Sequence, residues 1–317
     1  LLQAEAVGAL IKSKSEVAAK INQQTLNGAL SAALSKIRVS LISLAGKIEH
    51  AIDISEAEIA SSFYEECTLQ INATISSTKE ILSTFKAGKM LNEGIRVVIT
   101  GKPNVGKSTL INSLSGSEKA IVSDVPGTTR DTVESEVLID GVAFRLIDTA
   151  GIHPTEDKVE KIGIDKANDE IDFADLVLYV FDKPNIKKLP RYSCPHVHIL
   201  NKNDLHKLTS SDNSIIHISA KKGENVDILL KKIKETLLIN SVSTNTPHLT
   251  TARQKEALNK CLESLSLSLK CFDNSYPDLE IVSLELRASL YSLETLLGKT
   301  SADDILNNVF GKMCVGK

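Results

Sequence analysis

The chain of 317 residues has no tryptophan, only 4% aromatic residues and charges that nearly cancel at -3. No strongly basic domain announces nucleic-acid binding, which leaves only local basic patches for that role. Its five cysteines, Cys67, Cys194, Cys261, Cys271 and Cys314, are odd in number, scattered, and form no Cys-x-x-Cys pair. The pattern suggests neither a disulfide scaffold nor a zinc site, and it fits a reducing, cytoplasmic compartment. No apolar stretch is read as long enough to span a membrane. The start, Leu1-Leu2-Gln3-Ala4-Glu5, has neither methionine nor a basic segment. It reads as a cut into a longer protein rather than as a signal peptide. The length is sufficient for two domains.

What is present is concentrated in three motifs. Residues 101–108 read Gly-Lys-Pro-Asn-Val-Gly-Lys-Ser, a complete G-x-x-x-x-G-K-[ST] phosphate loop. The apolar run 95–100 precedes it and a helical pattern at 107–115 follows, so the order is strand, tight loop, helix. Backbone N–H groups of Asn104, Val105, Gly106, Lys107, Ser108 and Thr109, at the start of that helix, are placed to hold nucleotide phosphates. Lys107 reaches the outer phosphates and Ser108 a magnesium ion.

Asn201-Lys202-Asn203-Asp204 follows the apolar segment 196–200. A carboxylate at 204 accepts two hydrogen bonds, from N1–H and the 2-amino group of guanine. Adenine offers no such pair, so binding it would leave a charged acceptor unpaired. Asn201 is placed to tie this loop to the phosphate loop. Ser219-Ala220-Lys221 follows a strand at 215–218 and would cover the base from its other side. Alone, the tetrad could be a surface turn; after a phosphate loop and before Ser-Ala-Lys it reads as a guanine site.

Asp148-Thr149-Ala150-Gly151 ends an apolar run at 144–147. An aspartate at a strand end beside the phosphate loop holds magnesium through water. Gly151, unless it is an ordinary turn glycine, brings its N–H to the terminal phosphate. Gly127-Thr128-Thr129-Arg130-Asp131 is either a polar loop or the source of a threonine hydroxyl, Thr129, as the second protein ligand on magnesium in the triphosphate state.

The organisation reads as one domain inside another: an α/β P-loop GTPase domain with a mostly parallel sheet, inserted into an all-α helical bundle. Residues 1–90 form the first helical part, 91–240 the nucleotide domain, and 241–317 the second helical part. Leu26, Leu30, Leu34, Ile37, Leu41, Leu44 and Ile48 recur at spacings of three and four, one stripe of a long amphipathic helix. A second helix is predicted over 56–87, with Ser55 and Glu58 as a capping box and Gly88 and Gly94 bracketing its exit. Strands are predicted at 95–100, 133–139, 143–148, 176–181, 196–200 and 215–218, with Asp140-Gly141 turning a hairpin. Helices are predicted at 107–115, 156–171, 225–238, 251–272, 278–296 and 301–311, with a polar linker at 239–250. Sites in such a sheet gather at the strand ends.

These motifs together resemble the tRNA-modification GTPases of the MnmE/TrmE family, which act on the wobble uridine. The matching pieces are Gln3-Ala4-Glu5-Ala6, Gly101–Thr109, Gly127–Asp131, Asp148–Gly151, Val159-Glu160-Lys161-Ile162-Gly163-Ile164, Asn201–Asp204 and the terminus Cys314-Val315-Gly316-Lys317. The nucleotide motifs alone fit many GTPases; the inserted arrangement and the terminal Cys-x-Gly-Lys are more specific. The resemblance implies GTP and GDP binding with magnesium and potassium. It also implies an N-terminal domain, absent here, that binds a folate one-carbon donor and mediates dimerisation. It implies a homodimer, an FAD-dependent partner protein and tRNA as partners.

The resemblance further implies a catalytic set of Glu160, Lys107, Thr129, Gly151 and Cys314. Ile152 stands where switch GTPases carry a water-orienting glutamine, and Glu160 takes that task in the family. Potassium replaces an arginine finger near the β- and γ-phosphates. Asn104 supplies a side-chain ligand to it, and the loop 121–128 supplies others near Ser123, Val125 and Thr128. Two nucleotide domains meeting face to face would order that loop. Cys314 is the family's tail thiol near the folate centre, or an incidental one. The connection 182–195 is shorter than in the family and holds Pro184, Pro190 and Pro195, which oppose a helix. His153-Pro154 stands where a basic residue is common. A ribosome-assembly or other regulatory GTPase, and a nucleotide-regulated scaffold with negligible hydrolysis, remain as alternatives.

Overall fold

A computed structural model describes residues 1–54, 59–116, 120–122, 134–148, 169–183, 189–205, 215–237, 246–273 and 277–298. The chain divides into two compact units. One comprises 1–12, 19–89 and 244–317, and the other 13–18 and 90–243. The nucleotide unit is thus inserted into the sequence of a helical one.

The helical unit is built from α1 (Leu2–Ile11), α2 (Glu16–Leu26), α3 (Ala29–Ile52), α4 (Ser61–Ser83), α5 (Phe85–Glu93), α8 (Ala252–Cys271) and α9 (Leu279–Leu297), where α2 and α5 each carry a few residues of the other unit. The stripe Leu30, Leu34, Ile37, Leu41, Leu44 and Ile48 lines one face of α3 and is buried against Ile71 and Ile75 of α4, Leu258 and Leu265 of α8, and Leu286, Leu290 and Leu293 of α9. Each fully buried leucine or isoleucine contributes about 1.5–3 kcal/mol. Across this interface the Arg38 guanidinium donates to Glu294 at 2.9 Å, with both side chains about nine-tenths buried. Removing one member of such a pair costs about 3–5 kcal/mol, because the other charge is left buried without its partner. Thr251 and Gln254 close a capping box at the start of α8, and Asp278 caps α9 through the N–H groups of Glu280 and Ile281.

Several sequence expectations need correction here. The stripe does not run through one helix. Gly28, at φ 90, separates α2 from α3, and Leu26 ends the shorter one. The helix expected over 56–87 is α4 and then α5, with Thr84 between them. Gly88 is no exit; it lies inside α5, where an added Cβ would sit 2.2 Å from the Leu249 carbonyl oxygen. Close backbone approach, not chain termination, explains that glycine. The linker is not wholly solvated, since His248, Leu249 and Thr250 are buried. α3 is long and apolar enough, by length and composition, to cross a bilayer, contrary to the sequence reading. Its apolar stripe lies in the bundle core instead. The capping box at 55–58 and the helix at 301–311 lie outside the described residues.

The nucleotide unit holds a seven-stranded sheet. Its strands are β1 (Ile95–Thr100), β2 (Ala120–Val122), β3 (Glu134–Ile139), β4 (Val142–Asp148), β5 (Leu176–Phe181), β6 (His196–Leu200) and β7 (Ile215–His217), and its helices include α6 (Lys107–Ser115) and α7 (Val226–Thr236). The order is β2-β3-β4-β1-β5-β6-β7, parallel from β4 through β7, with β2–β3 and β3–β4 antiparallel. β1 and β5 are apolar almost throughout and buried on both faces, as parallel strands are. Asp140 at φ 50 and Gly141 at φ 76 make the β3–β4 turn, both in the left-handed region that a two-residue hairpin of this hand requires. The Val17 N–H donates to the Gly141 carbonyl, and Lys14 pairs with Glu136, so residues 13–18 belong with this sheet. β2 was not expected. Of the helix expected over 156–171, only 169–171 are described, and they are helical. Among the described residues of 182–195 no helix occurs.

Candidate functional site

β1 lies between β4 and β5, parallel to both, so the chain winds outward from it in opposite directions and the C-terminal strand ends at this switch point are the place for a site. The phosphate loop leaves β1 there. Gly101 opens it at φ 148; a Cβ would lie 2.1 Å from the Val180 carbonyl oxygen of β5. Gly106, at φ 94, closes it against Asn201, whose Nδ2 would lie 2.4 Å from an added Cβ. Both glycines are dictated by neighbouring strand ends as well as by the turn. α6 starts at Lys107, and its N-terminal N–H groups face the loop.

Lys107 is 4% exposed, and its ammonium donates to the Gly101 carbonyl at 2.9 Å and the Lys102 carbonyl at 3.1 Å. Burial pushes its pKa down, and the Asp148 carboxylate opposes that shift. Ser108 Oγ donates to Asp148 Oδ2 at 2.8 Å, and Asp148, the last residue of β4, is 4% exposed. A hydroxyl and a carboxylate in contact form an all-oxygen donor pair of the kind magnesium takes, directly or through water. Ser108 and Asp148 would therefore hold that ion, which neutralises phosphate charge.

The base-binding end is built from the loops after β6 and β7. Asn201 is buried and donates from Nδ2 to the Val105 carbonyl at 2.9 Å, while its Oδ1 accepts the Ala220 N–H at 3.0 Å. One amide thus joins the phosphate loop, the 201–204 loop and the 219–221 loop. Asp204 Oδ1 accepts from Ser219 Oγ at 2.8 Å, and that bond holds the carboxyl below its usual range. The carboxylate is accordingly ionised at neutral pH, an acceptor at both oxygens. Ser219 is fully buried, and Lys221 is exposed. Lys202 spans the crevice, its ammonium donating to the Asn104 carbonyl at 2.6 Å and to Asp182 Oδ2 at 2.9 Å.

The sequence profile described as the MnmE helical domain matches residues 1–314. A curated tRNA modification GTPase MnmE of Clostridioides difficile is 36% identical over 333 residues, which takes in 100% of this chain and 72% of that protein. Its counterpart from Pseudothermotoga lettingae is also 36% identical, over 100% of this chain and 73% of the relative.

This chain belongs to the MnmE family of tRNA modification GTPases.

As an MnmE chain it is a GTP-hydrolysing enzyme that takes GTP and GDP with magnesium. Among solved structures, Aquifex aeolicus Era bound to GDP and aluminium fluoride aligns at 27% identity over 54% of this chain and 67% of its own, with a TM-score of 0.32. The G domain of the Thermotoga maritima FeoB iron transporter aligns at 26% identity over 47% of this chain and 99% of its own, also at 0.32.

The MnmE site brings together Asn104, Val105, Gly106, Lys107, Ser108, Asp148, Asn201, Lys202, Asp204, Ser219 and Ala220. Thr109 lies in the first turn of α6. Ser123, Val125, Thr128, Thr129, Gly151, Glu160 and Cys314 lie outside the described residues. Asp182, which sequence reading passed over, joins this cluster through Lys202. Its only signal was an acid directly after an apolar strand, a weaker mark than any of the motifs.

Proposed function

We propose that this chain is a potassium-activated GTPase whose nucleotide domains pair face to face, and that its hydrolysis drives tRNA wobble-uridine modification. The observation that carries the reading is the placement of Asn104. It stands exposed at the apex of the phosphate loop, at φ 61, with its main chain held by Lys202. Its side-chain amide supplies a neutral oxygen beside the phosphates, a donor that suits a monovalent cation without adding charge. Held there, potassium would supply positive charge at the phosphates, where phosphoryl transfer needs it. Ser123, Val125 and Thr128 complete that reading as further oxygen donors.

Ile152 follows Gly151 and carries no group able to orient water. Glu160 then serves as the water-orienting carboxylate, and Thr129 and Gly151 report the terminal phosphate. A folate-binding domain, an FAD-dependent partner and tRNA belong to the same reading, with Cys314 assigned to the folate centre, in the cytoplasm. Family membership favours this over a ribosome-assembly GTPase or a non-hydrolysing scaffold.

The test is GTP turnover in potassium against sodium at constant ionic strength. Potassium is expected to raise turnover by about a hundredfold, the scale of one oriented group at the transition state. Asn104→Ala should abolish that difference, and Glu160→Gln should lower the potassium rate by about a hundredfold or more. Equal rates in the two salts would refute potassium activation.

A further inference from the structure

Asp182 follows directly on β5, outside every nucleotide motif of the sequence. Its carboxylate holds the Lys202 ammonium at 2.9 Å, and the same ammonium reaches the Asn104 carbonyl at 2.6 Å. Lys202 and Asn104 are two of the four non-glycine residues with positive φ among the described residues, at 64° and 61°. Left-handed backbone at such residues persists where surrounding contacts over-determine it. A lysine ammonium on its flexible four-carbon stem does not fix a loop through one acceptor. With Asp182 as a second acceptor its position is set, and the 201–204 loop is joined to the phosphate loop at a second point besides the Asn201 bond to Val105.

We propose that Asp182 is a positioning residue of the nucleotide site: acting through Lys202, it holds the base-reading loop against the apex of the phosphate loop. The inference rests on the guanine-nucleotide reading of the crevice and is independent of potassium. An ion pair about one-third exposed ordinarily contributes little; here the pair sets the distance between the two loops that one nucleotide must bridge. Losing it should speed nucleotide release and leave the fold alone.

The experiment is stopped-flow release of fluorescent GDP from the whole chain and from Asp182→Asn, Lys202→Met and the double variant, with melting of the nucleotide-free proteins alongside. Asp182→Asn is expected to release GDP about tenfold faster, with melting within about 2 °C of the parent. The double variant should match Lys202→Met within about twofold, because both changes remove one coupled unit. Unchanged release in Asp182→Asn would reduce the contact to an ordinary surface pair and overturn the proposal. Effects that multiply in the double variant, or faster release accompanied by a clear drop in melting temperature, would also overturn it. A parent chain that bound no guanine nucleotide would overturn the crevice reading and this role together.

Discussion

Asp204→Asn is expected to weaken GTP binding by about a thousandfold and to make xanthosine triphosphate the better ligand. The carboxylate can accept from both N1–H and the 2-amino group of guanine, and Ser219 Oγ at 2.8 Å holds it in place. Asparagine offers one acceptor and one donor. Its Nδ2 would face the guanine amino group donor to donor, losing one charge-assisted bond and creating a repulsive contact. Xanthine carries an oxygen where guanine carries that amine, so the same amide meets N1–H with its oxygen and the exocyclic C2 carbonyl oxygen with its nitrogen. The Ser219 bond survives, because asparagine Oδ1 still accepts. Competition between the two triphosphates for the variant measures the effect. A variant that kept its preference for GTP would show that Asp204 does not read the base.

Lys107→Met is expected to lower kcat/KM for GTP by about a thousandfold while leaving the nucleotide-free protein at least as stable. The two halves have one cause. The Lys107 ammonium is nearly fully buried and its pKa is pushed down by that burial, so in the free protein the charge is held at a desolvation cost. Its bonds to the Gly101 and Lys102 carbonyls offset part of that cost, and a phosphate oxygen would offset more. Methionine fills similar volume without a charge to desolvate. A lysine whose folded pKa lies below its unfolded value favours unfolding while it is charged. Its cost is present at neutral pH and fades as pH rises through the folded value. The stability difference between parent and variant should therefore shrink in alkali. A variant that hydrolysed GTP at the parental rate, or melted well below it at neutral pH, would contradict this role.

The phosphate loop, the Asp148 strand end and the 201–204 and 219–221 loops were legible in the sequence because each joins an apolar run to residue types that a nucleotide demands at fixed spacing. The sheet was legible for the same reason: β1 and β5 are apolar runs too short for helices, and Asp140-Gly141 names its own turn. What escaped was set by distant contacts. The helical period of the α3 stripe runs on through Leu26, so periodicity alone gave no sign that Gly28 interrupts it. β2 is three residues at the sheet edge, and its pairing with β3 defines it more than its composition does. Gly88 looked like a helix end because the Leu249 carbonyl that demands a glycine comes from the other side of the insertion. Asp182 escaped because it belongs to no motif and its partner lies 20 residues away in the chain.

The most direct measurement is displacement of fluorescent GDP from the unaltered chain by GTP and by ATP, with magnesium present. The phosphate loop and the loops after β6 and β7, with Asp204 read as the acceptor for N1–H and the exocyclic amine, are expected to favour GTP by about a thousandfold or more. Equal displacement by the two nucleotides would contradict the claim that this crevice recognises guanine.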